Sequence, residues 1–296
     1  MALLRVPTRR RILQGSFGAM AATAASAAFA PQSRAQTPRV RWAFLSDTHI
    51  PEDPQDAYRG FKPHANLARL APVVAQANVS GAVVDGDLAR LLGLPGDYAA
   101  FKKLLTPVLE KMPVAMSLGN HDHRANFAEA FAEHPGEEQA IRDKHVLVVP
   151  AGPVRFVILD SLLQPNLTPG LLGKDQRVWL EQFLPSLGST PVIVFVHHTP
   201  GDRDTDLLDT DRLISILSAN RNVKALIYGH SHRYAFDRVK DLHLINLPAV
   251  GYNFEDGEPV GWTEVELSGE GADFTLHAIG GNRSGDGKMK SVSWRG

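Results

Sequence analysis

Five polar clusters in this chain each begin where an apolar run ends. The clusters are Ser46-Asp47-Thr48-His49, Gly86-Asp87, Gly119-Asn120-His121-Asp122, His197-His198 and Gly229-His230-Ser231-His232. The preceding runs, at residues 40–45, 82–84, 114–117, 192–196 and 225–228, have the length and composition of strands. Since helical patterns lie between these runs, the sequence predicts an α/β fold with a mostly parallel sheet that is covered on both faces.

The remaining elements are predicted from the same kinds of pattern. Helices are expected at residues 65–77, 98–111, 126–134, 174–184 and 211–219. Residues 145–149 and 154–159 flank two prolines and a glycine, which predicts a hairpin. Beyond residue 240, three strands follow without helices, at 242–247, 262–267 and 273–278. We expect one domain over residues 36–282 and a loose polar tail at 283–296.

The polar clusters predict a metal site. The carboxyl ends of parallel strands meet at one edge of a sheet, and ligands bind there in open α/β folds. Each cluster alone is ambiguous, because Asp-x-His and Gly-Asp sequences are common in turns and caps. All five occur together at strand ends, and the chain has no cysteine. His, Asp and Asn side chains would therefore hold the metal, and they suit Fe, Mn, Zn or Co.

These motifs resemble those of the calcineurin-like metallophosphoesterase superfamily over residues 40–250. The resemblance implies a four-layer α/β sandwich with a central pair of mixed, mostly parallel sheets. It also implies two divalent or trivalent transition-metal ions at the carboxyl edge of the strands. The implied ligands are Asp47, His49 and His232 for one ion, Asn120, His197 and His230 for the other, and Asp87 as a bridge between them.

The resemblance implies hydrolysis of a phosphate ester. Two metal ions would activate a water, and the metal-bound hydroxide would attack the phosphorus. His121 is not an implied ligand; it would bind a phosphoryl oxygen or protonate the leaving group. Asn120 would also lie beside the substrate. Arg233 would either clamp the phosphate or form a surface ion pair, and the same choice applies to Arg90.

Substrate choice is less strongly determined. His197-His198-Thr199-Pro200, followed by an acidic loop, a helix and the Gly-His-Ser-His motif, is similar to class III cyclic nucleotide phosphodiesterases and bacterial glycerophosphodiesterases. Thr199 departs from the proline that is usual there. We expect small phosphodiesters or phosphomonoesters as substrates. Nucleotides, sugar nucleotides and phospholipid head groups are the alternatives, followed by a nuclease or a non-catalytic protein that binds phosphate esters.

Several neighbouring side chains receive supporting roles. Asp122 is expected to cap the helix that starts near Arg124. His198 is expected to support the site or to contact substrate. The remaining histidines, predicted to be structural or at the surface, are His64, His123, His134, His145, His243 and His277.

The N-terminus predicts export. Arg9 and Arg10 precede an uncharged, alanine-rich stretch at residues 15–30, and Ser33-Arg34-Ala35 offers a small-x-small cleavage site. This pattern indicates a cleaved twin-arginine-type signal over residues 1–35 and a periplasmic or secreted enzyme. A membrane anchor is the alternative, although the stretch is shorter than the roughly 20 residues of a spanning helix.

Charge argues against a polynucleotide partner. Residues 1–35 contain five of the 31 basic side chains and no acidic one, so removing them leaves 26 basic against 32 acidic, a net charge of −6. Nucleic-acid binding favours a basic surface. We therefore expect a small phosphate ester as the partner and no nucleic-acid polymer.

Overall fold

Strands and helices alternate along residues 38–294, which are the residues that this computed structural model describes. The strands are β1 (Arg39–Ser46), β2 (Ala82–Asp85), β3 (Val114–Ser117), β4 (Glu137–Glu138), β5 (Leu147–Ala151), β6 (Val154–Ile158), β7 (Val192–Phe195), β8 (Val223–Tyr228), β9 (Ala235–Val239), β10 (Leu242–Asn246), β11 (Pro259–Ser268), β12 (Gly271–Gly281) and β13 (Met289–Ser293). The helices are α1 (Pro63–Gln76), α2 (Pro95–Leu109), α3 (Arg124–Ala130), α4 (Lys174–Ser186) and α5 (Thr210–Ala219). The predicted export signal lies outside the described residues.

The strands form two mixed sheets, as the resemblance implies. Their orders are β13-β12-β11-β1-β2-β3 and β4-β5-β6-β7-β8-β10-β9. Parallel pairing joins β1, β2 and β3 in the first sheet and β6, β7, β8 and β10 in the second. The other neighbouring strands pair antiparallel, including the predicted hairpin of β5 and β6. The parallel strands include every strand that precedes a polar cluster, and one of them, β3, forms an edge of the first sheet.

Three apolar layers give the four-layer α/β sandwich that the motifs imply. One layer lies between the sheets, where Phe44 makes edge-to-face contacts with Phe156 and Phe195 at centroid distances of 5.7 and 5.0 Å. Such pairs contribute about 0.5–1.5 kcal/mol each beyond burial. Helices α1–α3 cover the first sheet, and α4 and α5 cover the second. Because this packing fixes both sheets, it also fixes the loops at their shared edge.

Helix α1 shows how the sequence produces the outer layers. It begins at Pro63, whose fixed φ and missing N–H suit the first turn of a helix. Leu67, Leu70, Ala71 and Val74 are buried, and their spacing places them on one face. No helix within residues 38–294 is long and apolar enough to cross a membrane.

The prediction of a loose tail from residue 283 is wrong. Strand β13 pairs antiparallel with β12, and the indole of Trp294 is buried and donates from Nε1 to the carbonyl of Ser268 at 3.0 Å. Val292 and Trp294 pack against the layer between the sheets. The composition was misleading because β13 is an edge strand whose other side chains face solvent.

Candidate metal centre

The loops that follow β1, β2, β3, β7 and β8 meet at one edge of the two sheets. They bring together all seven predicted ligands, namely Asp47, His49, Asp87, Asn120, His197, His230 and His232. Within this group, the donor atoms of Asp47, His49 and His232 all lie within 4.8 Å of one another. Those of Asp87, His197 and His230 do the same. The two sets match the two ions that the resemblance implies, with Asp87 between them, and the ligand roles themselves stay a prediction.

The first set converges through imidazole nitrogens. Nε2 of His49 and Nε2 of His232 lie 3.0 Å apart, and Nε2 of His232 lies 3.2 Å from Oδ1 of Asp47. Nδ1 of His232 lies 2.6 Å from the carbonyl oxygen of Tyr252. Because Nδ1–H donates to that carbonyl, Nε2 carries a lone pair that faces the carboxylate. Two acceptors in contact, buried from water, fit a cation between them.

The second set shows the same pattern. Nδ1 of His197 lies 2.8 Å from the carbonyl oxygen of Asp85, so Nε2 is the ring nitrogen that faces the site. That atom is buried, has no hydrogen-bond partner in the described part of the chain, and lies 3.3 Å from Oδ2 of Asp87. His230 and Asn120 complete the set: Nε2 of His230 lies 3.1 Å from the carbonyl of Thr205, and its Nδ1 lies 2.9 Å from Oδ1 of Asn120. All the donor atoms are nitrogen or oxygen, which suits Fe, Mn, Zn or Co.

The backbone at these ligands is in an uncommon conformation. Asp47, His49, Asp87, His230 and His232 have φ values of 52°, 48°, 48°, 66° and 52°. This left-handed region is sparsely populated by residues other than glycine and costs about 1–3 kcal/mol for each. The sharp turns direct the side chains from the strand ends into the site, and nothing in the sequence pattern predicts them.

Two motif glycines are explained by close approach. A Cβ atom at Gly119 would overlap the carboxylate of Asp87, and one at Gly229 would overlap that of Asp47. Both carboxylates therefore pass directly over glycine backbone. Any larger residue at either position would displace a predicted ligand.

The charges within the site are strongly coupled. Burial acts to raise the pKa of Asp87, but the imidazoles of His197 and His121 outweigh it and hold this pKa well below its usual range. Conversely, burial acts to lower the pKa of His197, and the carboxylates of Asp87 and Asp47 raise it well above the ordinary value. Burial lowers the pKa of His49 to about 3 and that of His230 to about 4. His49 and His230 are therefore neutral near pH 7 and do not balance the negative charge of Asp47 and Asp87.

These shifts predict an acid-sensitive metal-free protein. The pKa values of His49 and His230 fall from 6.5 to about 3 and about 4 on folding. The unfolded chain therefore binds protons below pH 6.5 that the folded chain does not, and stability falls as the pH drops from about 6.5 towards 4. The raised pKa of His197 does not offset this, because its stabilisation is fully present below pH 6.5. Burial raises the pKa of Asp85 to about 7 and that of Asp122 to about 6, which acts in the opposite direction. Burial also lowers the pKa of His198 well below its ordinary value, so three buried histidines oppose these two carboxyls and the loss prevails. We expect the Tm of chelator-treated protein to decline across this window, and a His49→Gln, His230→Gln variant to decline less. A constant Tm in the wild type would contradict the assignment.

His121 lies at the mouth of the site. Its backbone N–H donates to Oδ1 of Asp87 at 2.8 Å, and its Nδ1 lies 3.0 Å from the carbonyl oxygen of Leu91. The ring is 5.2 Å from that of His49, centroid to centroid. Donation from Nδ1 to Leu91 orients the ring and leaves Nε2 for another partner. This placement suits the predicted contact with a substrate phosphate.

The predicted cap role of Asp122 is wrong. Asp122 is fully buried and accepts from the backbone N–H groups of Leu88, Ala89 and Gly119 at 2.9–3.1 Å and from the hydroxyl of Tyr98 at 3.0 Å. The cap of α3 is His123, whose Nδ1 accepts from the N–H of residue 126 at 3.3 Å. Asp122 instead ties the loop that carries Asp87 to the loop that carries Asn120.

The contacts of His198, Arg233 and Arg90 show which of their predicted roles each residue takes. His198 is buried, with Nδ1 2.7 Å from Oγ of Ser161, and its ring lies 4.8 Å from that of His230. It supports the site and is not among the converging donors. Arg233 pairs with Glu255 at 2.7 Å and Arg90 with Asp56 at 2.8 Å, so both form ion pairs near the surface.

Sequence reasoning missed two aromatic residues at the site. Phe254 stacks on the His232 ring at 4.1 Å, and Tyr252 stacks on His49 at 4.7 Å. Phe254 also lines a cavity of about 760 Å³ that opens over the predicted ligands. Both residues come from the loop after β10, which carries no metal-ligating side chain and so gave no signal.

A comparison of the sequence with known protein families identifies the family of this chain. The model of the calcineurin-like phosphoesterase family matches residues 40–234. The chain belongs to the calcineurin-like phosphoesterase family. Members of this family are hydrolases with a dinuclear metal site, and the Asp and His groups described above are able to bind such metals.

Relatives within the family are phosphodiesterases by name. The chain is 29% identical over 239 residues to a "probable cyclic nucleotide phosphodiesterase" of Synechococcus, covering 78% of this chain and 88% of the relative. It is 28% identical over 222 residues to the 3′,5′-cyclic adenosine monophosphate phosphodiesterase of Pseudomonas aeruginosa, covering 72% and 77%. A "probable glycerophosphodiester phosphodiesterase" of Arcobacter nitrofigilis is 28% identical, covering 64% and 70%.

A solved structure confirms the fold of the family. A dimetal phosphatase from Danio rerio superposes with a TM-score of 0.66 at 15% identity, covering 86% of this chain and 99% of the other. At this identity the likeness shows the shared architecture and not a shared substrate.

Proposed function

We propose that this chain is an exported phosphodiesterase that hydrolyses small phosphodiesters. The observation that carries the proposal is the convergence of seven nitrogen and oxygen donors at one sheet edge, with His121 beside them at an open cavity. Two metal ions bound there would neutralise phosphoryl oxygens and supply a hydroxide nucleophile near neutral pH. Asp87 would fix their spacing, and the buried imidazoles would keep the site positively charged towards an anionic ester.

The charges around the cavity favour diesters over monoesters. Apart from the predicted ligands, the cavity is lined by four carboxylates and two guanidinium groups, namely those of Asp202, Asp206, Asp237, Glu255, Arg203 and Arg233. Arg233 is already paired with Glu255. A monoester dianion would meet more repulsion in this surrounding than a diester carrying a single charge. The phosphodiesterase relatives support the same choice.

A pair of chromogenic substrates tests this preference. Purified, metal-loaded protein should hydrolyse bis-p-nitrophenyl phosphate with a higher kcat/KM than p-nitrophenyl phosphate. A preference for the monoester would overturn the diester assignment while leaving the family intact. Binding of the diester without turnover would support the non-catalytic alternative.

His121 should act on the leaving group or the phosphoryl oxygen. Its Nε2 faces the cavity once Nδ1 is engaged by Leu91. We expect His121→Gln to lower kcat by about 10²–10⁴-fold, the usual contribution of general acid–base catalysis, with metal content unchanged. Steady-state kinetics and elemental analysis on the same sample check this. Loss of a metal ion in His121→Gln would instead make His121 a ligand.

Exposed apolar side chains around the site favour a second substrate class, the phospholipid head-group diesters. Among the described residues, eight of the eleven exposed large apolar side chains lie in loops after β1, β2, β6, β7 and β10, at the same edge as the predicted ligands. They are Tyr58, Leu91, Leu92, Leu94, Leu163, Leu167, Leu208 and Phe254. A concentration of exposed apolar side chains at one edge favours a contact with an apolar partner. Comparing cyclic nucleotides, glycerophosphodiesters and phospholipid in mixed micelles separates the two classes. A Leu91→Ser, Leu92→Ser variant should lose only the micellar activity.

Export rests on the N-terminal pattern alone. In a bacterial host with a twin-arginine pathway, we expect wild-type activity in the periplasmic fraction. The Arg9→Lys, Arg10→Lys variant should be retained in the cytoplasm, since this pathway recognises the paired arginines. Equal distribution of both proteins would contradict the proposal.

A further inference from the structure

A second group of metal-ligating side chains lies outside the candidate centre. His134 follows α3, Glu138 belongs to β4, and His145 precedes β5. Oε2 of Glu138 lies 3.5 Å from Nε2 of His134, and Oε1 lies 3.6 Å from Nδ1 of His145. One donor atom from each residue lies within 4.8 Å of the other two. None of the three is a predicted ligand of the dinuclear centre, and the sequence predicts only structural or surface histidines here.

The hydrogen bonding of His145 indicates a cation in this group. Its Nε2 lies 3.2 Å from the carbonyl oxygen of Met116 and therefore carries the proton that donates to it. Nδ1 then presents a lone pair to the carboxylate of Glu138, which is also an acceptor. Two acceptors that face each other repel unless a cation lies between them. A charged imidazolium is disfavoured because His145 is buried.

The spacing suits a small tetrahedral ion. Two ligand atoms at 2.0–2.1 Å from such an ion are about 3.3–3.4 Å apart. Each imidazole lies at a similar distance, 3.5 or 3.6 Å, from a different oxygen of the Glu138 carboxylate. Two imidazoles and one carboxylate form a known zinc donor set that leaves a fourth position for water. The side chain of Glu138 is 54% exposed, whereas those of His134 and His145 are 19% and 10% exposed. An ion is therefore able to enter from solvent onto a preformed pair of imidazoles.

We propose that His134, Glu138 and His145 bind a third metal ion, a divalent transition ion such as zinc. The ion would clamp the connector between α3 and β5. Two contacts link this connector to the end of the loop that carries His121. The backbone N–H of His145 donates to Asp160 at 2.9 Å, and Asp160 pairs with Arg124 at 2.7 Å. Arg124 is the first residue of α3, three positions after His121. The third ion thus stabilises the segment that follows the predicted acid–base residue.

Zinc titration of three proteins tests the proposal. The wild type is compared with Glu138→Gln and with the matched control Glu137→Gln, which makes the same change at the adjacent exposed position of β4. Each protein is stripped with chelator and titrated with zinc chloride alone, and bound zinc per chain and Tm are measured. We expect the wild type and Glu137→Gln to bind one zinc more than Glu138→Gln and to gain more in Tm. Hydrolysis of bis-p-nitrophenyl phosphate by metal-saturated Glu138→Gln should persist, which separates this site from the dinuclear centre.

His134→Gln provides a second, independent removal of a ligand. It should lose the same zinc as Glu138→Gln, and it decides the matter if Glu138→Gln does not fold. Equal zinc content and equal zinc-dependent Tm in all four proteins would overturn the proposal, whatever the outcome for phosphodiester hydrolysis.

Discussion

Asp87→Asn should lower kcat/KM for bis-p-nitrophenyl phosphate by at least about 10³-fold, since even a single electrostatic donor contributes about 10²–10³. Asp87 is the carboxylate placed between the two donor sets, with Oδ2 3.3 Å from Nε2 of His197 and 3.6 Å from Nε2 of His49. The amide keeps the shape but removes the charge that would hold two cations together. We also expect fewer than two metal ions per chain by elemental analysis.

Asp85→Asn is the matched control for this change. Asp85 lies two residues away, is equally buried, and accepts from Oγ of Ser117 at 2.6 Å. Burial raises its pKa to about 7, so loss of the negative charge costs little near neutral pH. Its contact with His197 is through the backbone carbonyl, which the substitution keeps. Near-wild-type activity is expected for Asp85→Asn. Equal impairment of both variants would mean that any polar change at the end of β2 disrupts the fold.

Asp122→Ala should destabilise the protein by at least about 3 kcal/mol, because it leaves three buried backbone N–H groups without an acceptor, at about 1–3 kcal/mol each. Asp122→Asn retains one carbonyl oxygen and should lose less. Urea unfolding of the metal-free proteins measures both. Activity should fall as well, since the loops that carry Asp87 and Asn120 lose their common anchor, and small displacements of reacting groups are costly. A loss of less than 1 kcal/mol in Asp122→Ala would show that water replaces the carboxylate.

The strands and the convergence of the polar side chains could be predicted because both depend on residue type along the chain. Buried central strands such as β2 and β8 have continuous apolar runs, and a metal site needs donors where those runs end. Strand β13 could not be predicted, because an edge strand buries few of its side chains and its composition is that of a tail.

The role of Asp122 was hidden for a different reason. An acid just before a helix matches the cap pattern, but two of its three N–H partners lie 33 and 34 positions away in the chain. Only the folded arrangement of two neighbouring loops reveals them. The same limit applies to His134, Glu138 and His145, whose spacing matches no familiar ligand pattern.

The left-handed turns at the predicted ligands set a limit on engineering this enzyme for heat resistance. Glycine adopts such turns without penalty, so a screen for thermal tolerance alone would favour glycine at positions such as His49 and His230. Each such gain would remove a donor. A screen that also demands turnover would have to seek its improvements in the layer between the sheets or in the helices, away from this edge.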